Sequence, residues 1–246
     1  MENITRLLQS TTNRLVLICV VAFFVVEGIY KGTPSGLELY YFEHPDFRIW
    51  QLVTSIFMHG GLGHLALNMI ALWSFGQVLE RVWGGTRFLV FFLLCGIGAG
   101  AISLIVNYFS FHGIYDGLVA SGATAADLLR VVNQGQISPS LQAITSEEHL
   151  TQFYYLYNAP MVGASGAIYV ILVAFTILFP DFKVQLIFLP VPVAAKYFVP
   201  VLLMIDLLAG FTGMSIFGLN IAHFAHIGGA VVGLILVLWW MRASQH

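Results

Sequence analysis

Six apolar stretches, over roughly residues 13–30, 62–82, 88–109, 161–179, 197–215 and 221–241, constrain this chain more than any other feature. Each comes close to the ~20 residues a helix needs to cross a ~30 Å hydrocarbon layer. Of the 246 residues 59% are hydrophobic and 9% charged, with a mean hydropathy of +0.86. Soluble domains carry about 25% charged residues, and so few charges cannot coat a globule in water. The expected fold class is all-α: a polytopic membrane protein whose six helices satisfy their own backbone groups in lipid. A single domain over residues 1–246 is expected. The formal net charge of −2 offers nothing to nucleic acid. Cys19 and Cys95 both lie in apolar runs, so no disulfide framework or paired-cysteine metal site is implied.

The basic residues orient the spans. Arg6 and Arg14, Arg81 and Arg87, Lys183 and Lys196, and Arg242 fall in alternate connecting segments and make up seven of the ten Lys and Arg. The opposite segments are longer in total yet hold only Lys31, Arg48 and Arg130. By the positive-inside rule, both termini are expected in the cytoplasm. The first run, Leu15–Val26, follows Arg6 and Arg14 as a signal peptide would, but Glu27-Gly28-Ile29-Tyr30 is no small-x-small cleavage site. It reads as a retained span, with Glu27 near the outer interface.

Two outward segments are long. Residues 31–61 end in Trp50-Gln51-Leu52-Val53-Thr54, suited to an interfacial position. Residues 110–160 form an extracytoplasmic insertion between the third and fourth spans, too long for a simple connector. Leu118–Val132 reads as an amphipathic helix, and Thr145-x-x-Glu148 as a capping box before His149–Tyr157. The aromatic residues Phe153, Tyr154, Tyr155 and Tyr157 suit a helix resting on the membrane surface; a partly ordered polar insertion fits equally.

Polar groups at lipid depth are costly and mark functional candidates. Gly163-Ala164-Ser165-Gly166 opens the fourth span. A serine there meets unpaired helix N–H groups and the positive end of the helix dipole, which also stabilise an oxyanion. Taken alone, the same residues are explained more simply by small-residue helix packing. In the sixth span, Gly229 and Gly233 are four apart and form a close-approach face. His226, three and seven residues earlier, shares it, so whichever helix packs there meets the imidazole. If that helix is the fourth, His226 can take the Ser165 proton. His223 is a rival base, but its spacing of six to Gly229 turns it away. His64 and Asn68, four apart in the second span, share a face from which their donors can converge on one oxygen, or simply hold helices together. His59 reads as ordering the preceding loop. Asp206, mid-span in the fifth run, reads as a helix-pairing group rather than a third catalytic member.

Taken in order, His64-x-x-x-Asn68, Gly163-x-Ser165-Gly166 and Ala225-His226-x-x-Gly229-x-x-x-Gly233 resemble the rhomboid intramembrane serine proteases. The likeness runs over about 46–242 apart from the insertion. It includes Trp50, Phe57-Met58-His59-Gly60, Glu80-Arg81, Tyr169 and a Pro190-x-Pro192…Lys196-Tyr197 connector similar to the bacterial branch. The resemblance implies a multi-pass protein of the bacterial plasma membrane that cuts transmembrane segments of other proteins, with no cofactor and no metal. Ser165 would be the nucleophile and His226 the base, with His64, Asn68 and the Ser165 N–H around the oxyanion and Gly163 beside them. Tyr169 would stack on His226, Gly166, Gly229 and Gly233 would pack the helices, and Glu80 and Arg81 would hold the cytoplasmic end. Gln51 stands where many relatives have arginine, which puts that residue's anchoring of the first loop in doubt.

Two other readings compete. A catalytically inactive rhomboid-like protein would bind membrane helices without cutting them, although such relatives typically lose the serine or histidine. A metal transporter or metalloprotease would use His59, His64, His223 and His226, but the sequence has no His-Glu-x-x-His, no adjoining cysteine and no adjacent mid-span carboxylate.

Overall fold

A computed structural model describes residues 9–31, 35–186, 189–212 and 223–243. The turn expected around Ile216–Asn220, and the ends of the two spans beside it, lie outside the described residues. The described chain is predominantly helical. Among the described residues, four helices are long and apolar enough to cross a membrane: α1 (Thr11–Tyr30), α3 (Leu62–Trp83), α4 (Gly85–Ala120) and α9 (Ala195–Thr212). A short helix α2 (Gln51–Thr54), continued by a tighter turn over Ser55–Phe57, precedes α3. Shorter apolar stretches lie in α8 (Ser165–Leu178) and in the helix His223–Ala243. Large apolar side chains such as Phe24, Trp73, Phe109, Phe211 and Trp239 point outward, as lipid allows and water does not.

The buried centre is apolar and tight. Leu72 and Leu79 of α3, Phe88, Phe91, Phe92 and Cys95 of α4, and Val170 and Ile171 of α8 are fully enclosed. Glu80, near the end of α3, holds the start of α1. Its carboxylate accepts from Thr11 N (2.6 Å), Thr12 N (2.8 Å), Thr12 Oγ1 (2.7 Å) and Ser10 Oγ (2.8 Å). Those backbone donors have no partner within their own helix, so an anion there meets an end-to-end need of α1. Arg81 is exposed.

Helix α4 runs 36 residues, about 54 Å at 1.5 Å per residue, well past the end of the expected third span. Its last turns carry α5 (Ala125–Gln134), α6 (Pro139–Gln142) and α7 (Glu147–Asn158). The single helix expected over Leu118–Val132 is broken: Gly122 adopts φ +99°, and Thr124 starts α5 by accepting from Asp127 N. The cap of α7 is Ser146, whose Oγ accepts from His149 N (3.2 Å); Thr145 instead meets the His149 ring. The insertion has its own core of Tyr41, Phe111, Leu128, Val131, Leu150 and Phe153. Phe153 stacks on Phe111 (centroids 4.6 Å, planes 8° apart) and Tyr157 meets Tyr41. These rings are thus used inside the insertion, and among the four aromatics only Tyr155 is strongly exposed. The apolar period of α5 and α7 finds a partner in α4, so a partly ordered insertion is not what forms.

After α8, the connector is a hairpin of β1 (Lys183–Leu186) and β2 (Leu189–Ala194). Its register is Lys183↔Ala194, Val184↔Val193 and Leu186↔Leu189. It leads directly into α9, and the last helix, α10 (His223–Ala243), follows.

Candidate active site

Helix α8 begins at Ser165, four residues later than the apolar run suggested. Met161 is instead paired as extended backbone with Leu39, exchanging N–H···O bonds of 2.9 and 2.8 Å. Gly163 takes φ +125° and donates its N–H to Ser55 O (2.9 Å). The first loop therefore clamps the segment that presents Ser165. At Gly163 a β-carbon would also collide with the His64 ring, at 2.8–2.9 Å. Among the described residues no side chain caps α8, so its first-turn N–H groups stay available.

Gln51 explains how that loop holds its shape. It is fully buried, with Oε1 accepting from Tyr40 N (3.3 Å) and Arg48 N (3.1 Å). Its Nε2 donates to Gly36 O (3.2 Å) and Asp46 O (2.9 Å). The departure from arginine thus does not leave the loop unanchored: an amide offers both donors and acceptors. Glu38 adds a second knot, accepting from Ser35 N, Ser35 Oγ and Gly36 N. Burial acts to raise its carboxyl, but these bonds outweigh it and hold the group below the usual carboxylate range.

Helices α8 and α10 meet along glycines. A β-carbon on Gly229 would fall on the Gly166 carbonyl, one on Gly233 would fall within the Val170 side chain, and Gly166 itself lies against Ala99 of α4. This contact brings the imidazole of His226 to Ser165, with Nε2 2.8 Å from Oγ. Tyr169, one turn along α8, stacks on the His226 ring at 4.2 Å with planes 14° apart.

The other ring nitrogen of His226 was not partnered by the sequence. Asp206 Oδ2 lies 2.7 Å from His226 Nδ1, and Oδ1 lies 2.6 Å from His223 Nδ1. All three residues are largely buried. His223 is therefore turned to Asp206, away from Ser165. The signal for this pairing was present only as a lone mid-span carboxylate in α9; its partner depended on how α9 and α10 face each other. Among the described residues, Asp206, His223 and His226 also form a trio whose ligand atoms lie within 4.8 Å of one another, the kind of donor set that binds a divalent metal. The adjacent carboxylate missing from the sequence order is thus supplied by the fold.

On the opposite side of Ser165, Gly60 N approaches His64 Nδ1 at 3.4 Å. A ring nitrogen that accepts leaves the proton on its partner, so His64 Nε2 is a donor, set beside Gly163 and Ser165. Asn68 is buried and donates one N–H to His64 O (2.8 Å), one turn back in α3. His59 contacts Phe57 O through Nδ1 (3.3 Å) and lies edge-on to His64, while its Nε2 is buried with no partner among the described residues. Burial, and secondarily the His64 ring, push its imidazole down to about 4 against the opposing pull of the Phe57 carbonyl.

Such a grouping supplies a hydroxyl, an imidazole acceptor, a stacked aromatic ring and N–H donors around one point. That is the equipment of acyl transfer.

The Rhomboid domain matches residues 46–243. The chain is 40% identical over 118 residues to the Rhomboid protease GluP of Bacillus subtilis, which takes in 46% of this chain and 22% of that protein. It is 23% identical over 278 residues to Rhomboid protein 1, mitochondrial, of Saccharomyces cerevisiae, 96% of this chain and 66% of that one. It is 27% identical over 203 residues to the Presenilin-associated rhomboid-like protein, mitochondrial, of Homo sapiens, 81% and 41% of the two chains. The chain thus spans from 22% to 66% of the length of these relatives.

Proposed function

The chain belongs to the rhomboid family, and from that premise we propose that it is an intramembrane serine endopeptidase that cleaves transmembrane segments of other membrane proteins. One observation carries this reading: the 2.8 Å approach of His226 Nε2 to Ser165 Oγ, with Tyr169 stacked on the imidazole.

In the reaction, Ser165 Oγ attacks the scissile carbonyl carbon while its proton passes to His226 Nε2. The carbonyl π pair moves to oxygen, which faces the Ser165 N–H, His64 Nε2 and the remaining N–H of Asn68. Collapse of the tetrahedral species breaks the C–N bond, and the imidazolium gives its proton to the leaving amine. Water then attacks the acyl ester, its proton going to Nε2, and Oγ leaves with that proton. No cofactor enters this scheme.

Depth is set by helix length. The 14 residues of α8 reach about 21 Å, against ~30 Å of hydrocarbon. With the end at Leu178 at the cytoplasmic surface, Ser165 sits about 9 Å below the outer one. Water reaches it from outside, since polar groups at depth are tolerated where protein or water solvates them. This reading takes six spans, both termini in the cytoplasm, residues 1–246 as one domain and 110–160 as its extracytoplasmic insertion. The Pro190-x-Pro192…Lys196-Tyr197 connector supports the bacterial plasma membrane. The substrate helix approaches sideways, between the second and fifth spans, and must unwind locally, because helical peptide bonds are shielded by their own turns.

The test is purified protein in lipid, treated with a fluorophosphonate probe and with a model transmembrane substrate. Wild type labels and cleaves; Ser165→Ala loses both, cleavage by about 10⁴-fold or more. Labelling that survives Ser165→Ala and His226→Ala removes the assignment.

A further inference from the structure

The buried carboxylate of α9 has two imidazoles on it, and its chemistry bears directly on the base. We infer that Asp206 is a positioning residue that fixes His226 in the one tautomer able to accept the Ser165 proton, with His223 holding Asp206 in place. The inference rests on the protease reading for its kinetic consequence, but its structural content stands apart from it.

A carboxylate only accepts hydrogen bonds. At 2.7 Å from Asp206 Oδ2, His226 Nδ1 must carry the proton. A neutral imidazole carries one proton, so Nε2 is a bare lone pair, and it is Nε2 that lies 2.8 Å from Ser165 Oγ. The opposite tautomer would set an N–H against the hydroxyl and offer no acceptor. When Nε2 takes the serine proton, the imidazolium forms beside Asp206 and is stabilised there; Asp206 itself keeps its charge and exchanges no proton.

The second oxygen is engaged in the same way. His223 Nδ1 donates to Oδ1 at 2.6 Å, so the carboxylate is gripped from two sides and cannot swing off His226. His223 and His226 are one turn apart on α10, with rings 6.5 Å apart and nearly perpendicular, which lets each reach a different oxygen. Tyr169 stacks its ring face on His226 and so limits rotation of the imidazole. A carboxylate within an apolar bundle is costly. One that served only to join α9 to α10 would need one partner, not two imidazoles aligned through the same nitrogen.

The experiment compares wild type, Asp206→Leu and Asp206→Glu in the same lipid nanodiscs. Leucine fills similar space in the bundle but removes both acceptors; glutamate keeps the carboxylate. Three quantities are read: the fluorophosphonate labelling rate, kcat and KM on a transmembrane substrate, and the ¹⁵N spectrum of histidine-labelled protein. In Asp206→Leu, labelling and kcat fall about 10³–10⁴-fold, the scale seen when a base histidine is left in the wrong tautomer. KM stays within about threefold, because substrate does not touch Asp206. Asp206→Glu recovers at least about tenfold over leucine. Wild-type His226 shows a protonated Nδ1, and that signature disappears in Asp206→Leu.

Folded Asp206→Leu that labels within about threefold of wild type overturns the inference. So does a wild-type spectrum with the proton on Nε2, a measurement that does not depend on the variant folding. A wild type that neither labels nor cleaves, yet shows the Nδ1 signature and loses it in Asp206→Leu, keeps the positioning role and removes the protease reading.

Discussion

Gly229 lies directly against the peptide carbonyl of Gly166, where a single β-carbon has no room. This contact between two residues without side chains is what sets the distance between α8 and α10, and so brings His226 to Ser165. Gly229→Ala must push the helices apart or bend one of them. Overpacking of this kind costs about 1–3 kcal/mol. We expect a lower unfolding temperature and a loss of fluorophosphonate labelling that exceeds the loss of folded protein. Wild-type stability and labelling in this variant would mean that the glycine face is not what spaces the pair.

Tyr169 contributes its ring face to His226. Aromatic stacking is worth about 0.5–1.5 kcal/mol, which as a change in rate is about 2–12-fold. Tyr169→Phe keeps the ring and should hold kcat within about threefold, while Tyr169→Ala should lose the full stacking factor. Equal losses in the two variants would assign the effect to the hydroxyl instead.

Gln51 satisfies four backbone groups of the first loop from a buried position. Its truncation leaves buried donors and acceptors unpaired at about 1–3 kcal/mol each, reduced wherever water enters. In Gln51→Ala, amides of residues 36–48 should exchange about 10–100-fold faster, while those of α4 are unchanged. Unaltered exchange in that loop would show that Gln51 does not anchor it.

Glu80 caps α1 with a charged acceptor. Glu80→Gln keeps the shape but sets an amide N–H₂ against donors. A loss of about 1.5–3 kcal/mol is expected, as for hydrogen bonds to a charged group. Residues 11–14 should lose exchange protection before the rest of the molecule does. Arg81→Gln, at an exposed position, should change stability by less than about 0.5 kcal/mol.

His59 makes the loop before α3 sensitive to acid. An unperturbed imidazole binds its proton near pH 6.5, whereas His59 in the folded protein stays neutral down to about 4. Between these values the unfolded or opened loop binds more protons. The stability His59 allows is therefore complete above pH 6.5 and declines as pH falls toward 4. Opening of residues 58–61, read by exchange corrected for the intrinsic pH effect, should rise on the order of 10²-fold over that window. His59→Phe should flatten the profile, and a flat wild-type profile would show that His59 is not buried in the neutral form.

Much of the site was legible because helical spacing is rigid. Three and seven residues on a helix are neighbours on one face, so His226, Gly229 and Gly233 had to point to the same partner. The long extension of α4 was not legible, because an apolar run ends where lipid ends, while a helix ends where its backbone finds other partners. The aromatics of α7 were equally ambiguous. A ring that suits a membrane surface also suits a small core, and only the presence of Phe111 and Tyr41 opposite decided between them.

From residue order alone came the helical class, the long apolar stretches, the family motifs and the face shared by His226 with its glycines, all of which depend on local composition and on a fixed period. Tertiary structure alone decided that Asp206 joins His223 and His226, that Gln51 replaces an expected cation by four neutral hydrogen bonds, and that the first loop clamps the segment before Ser165. Those contacts run between distant segments, where rotation about a helix axis or the path of a loop chooses the partner, and periodicity along one helix says nothing about how its neighbour is turned.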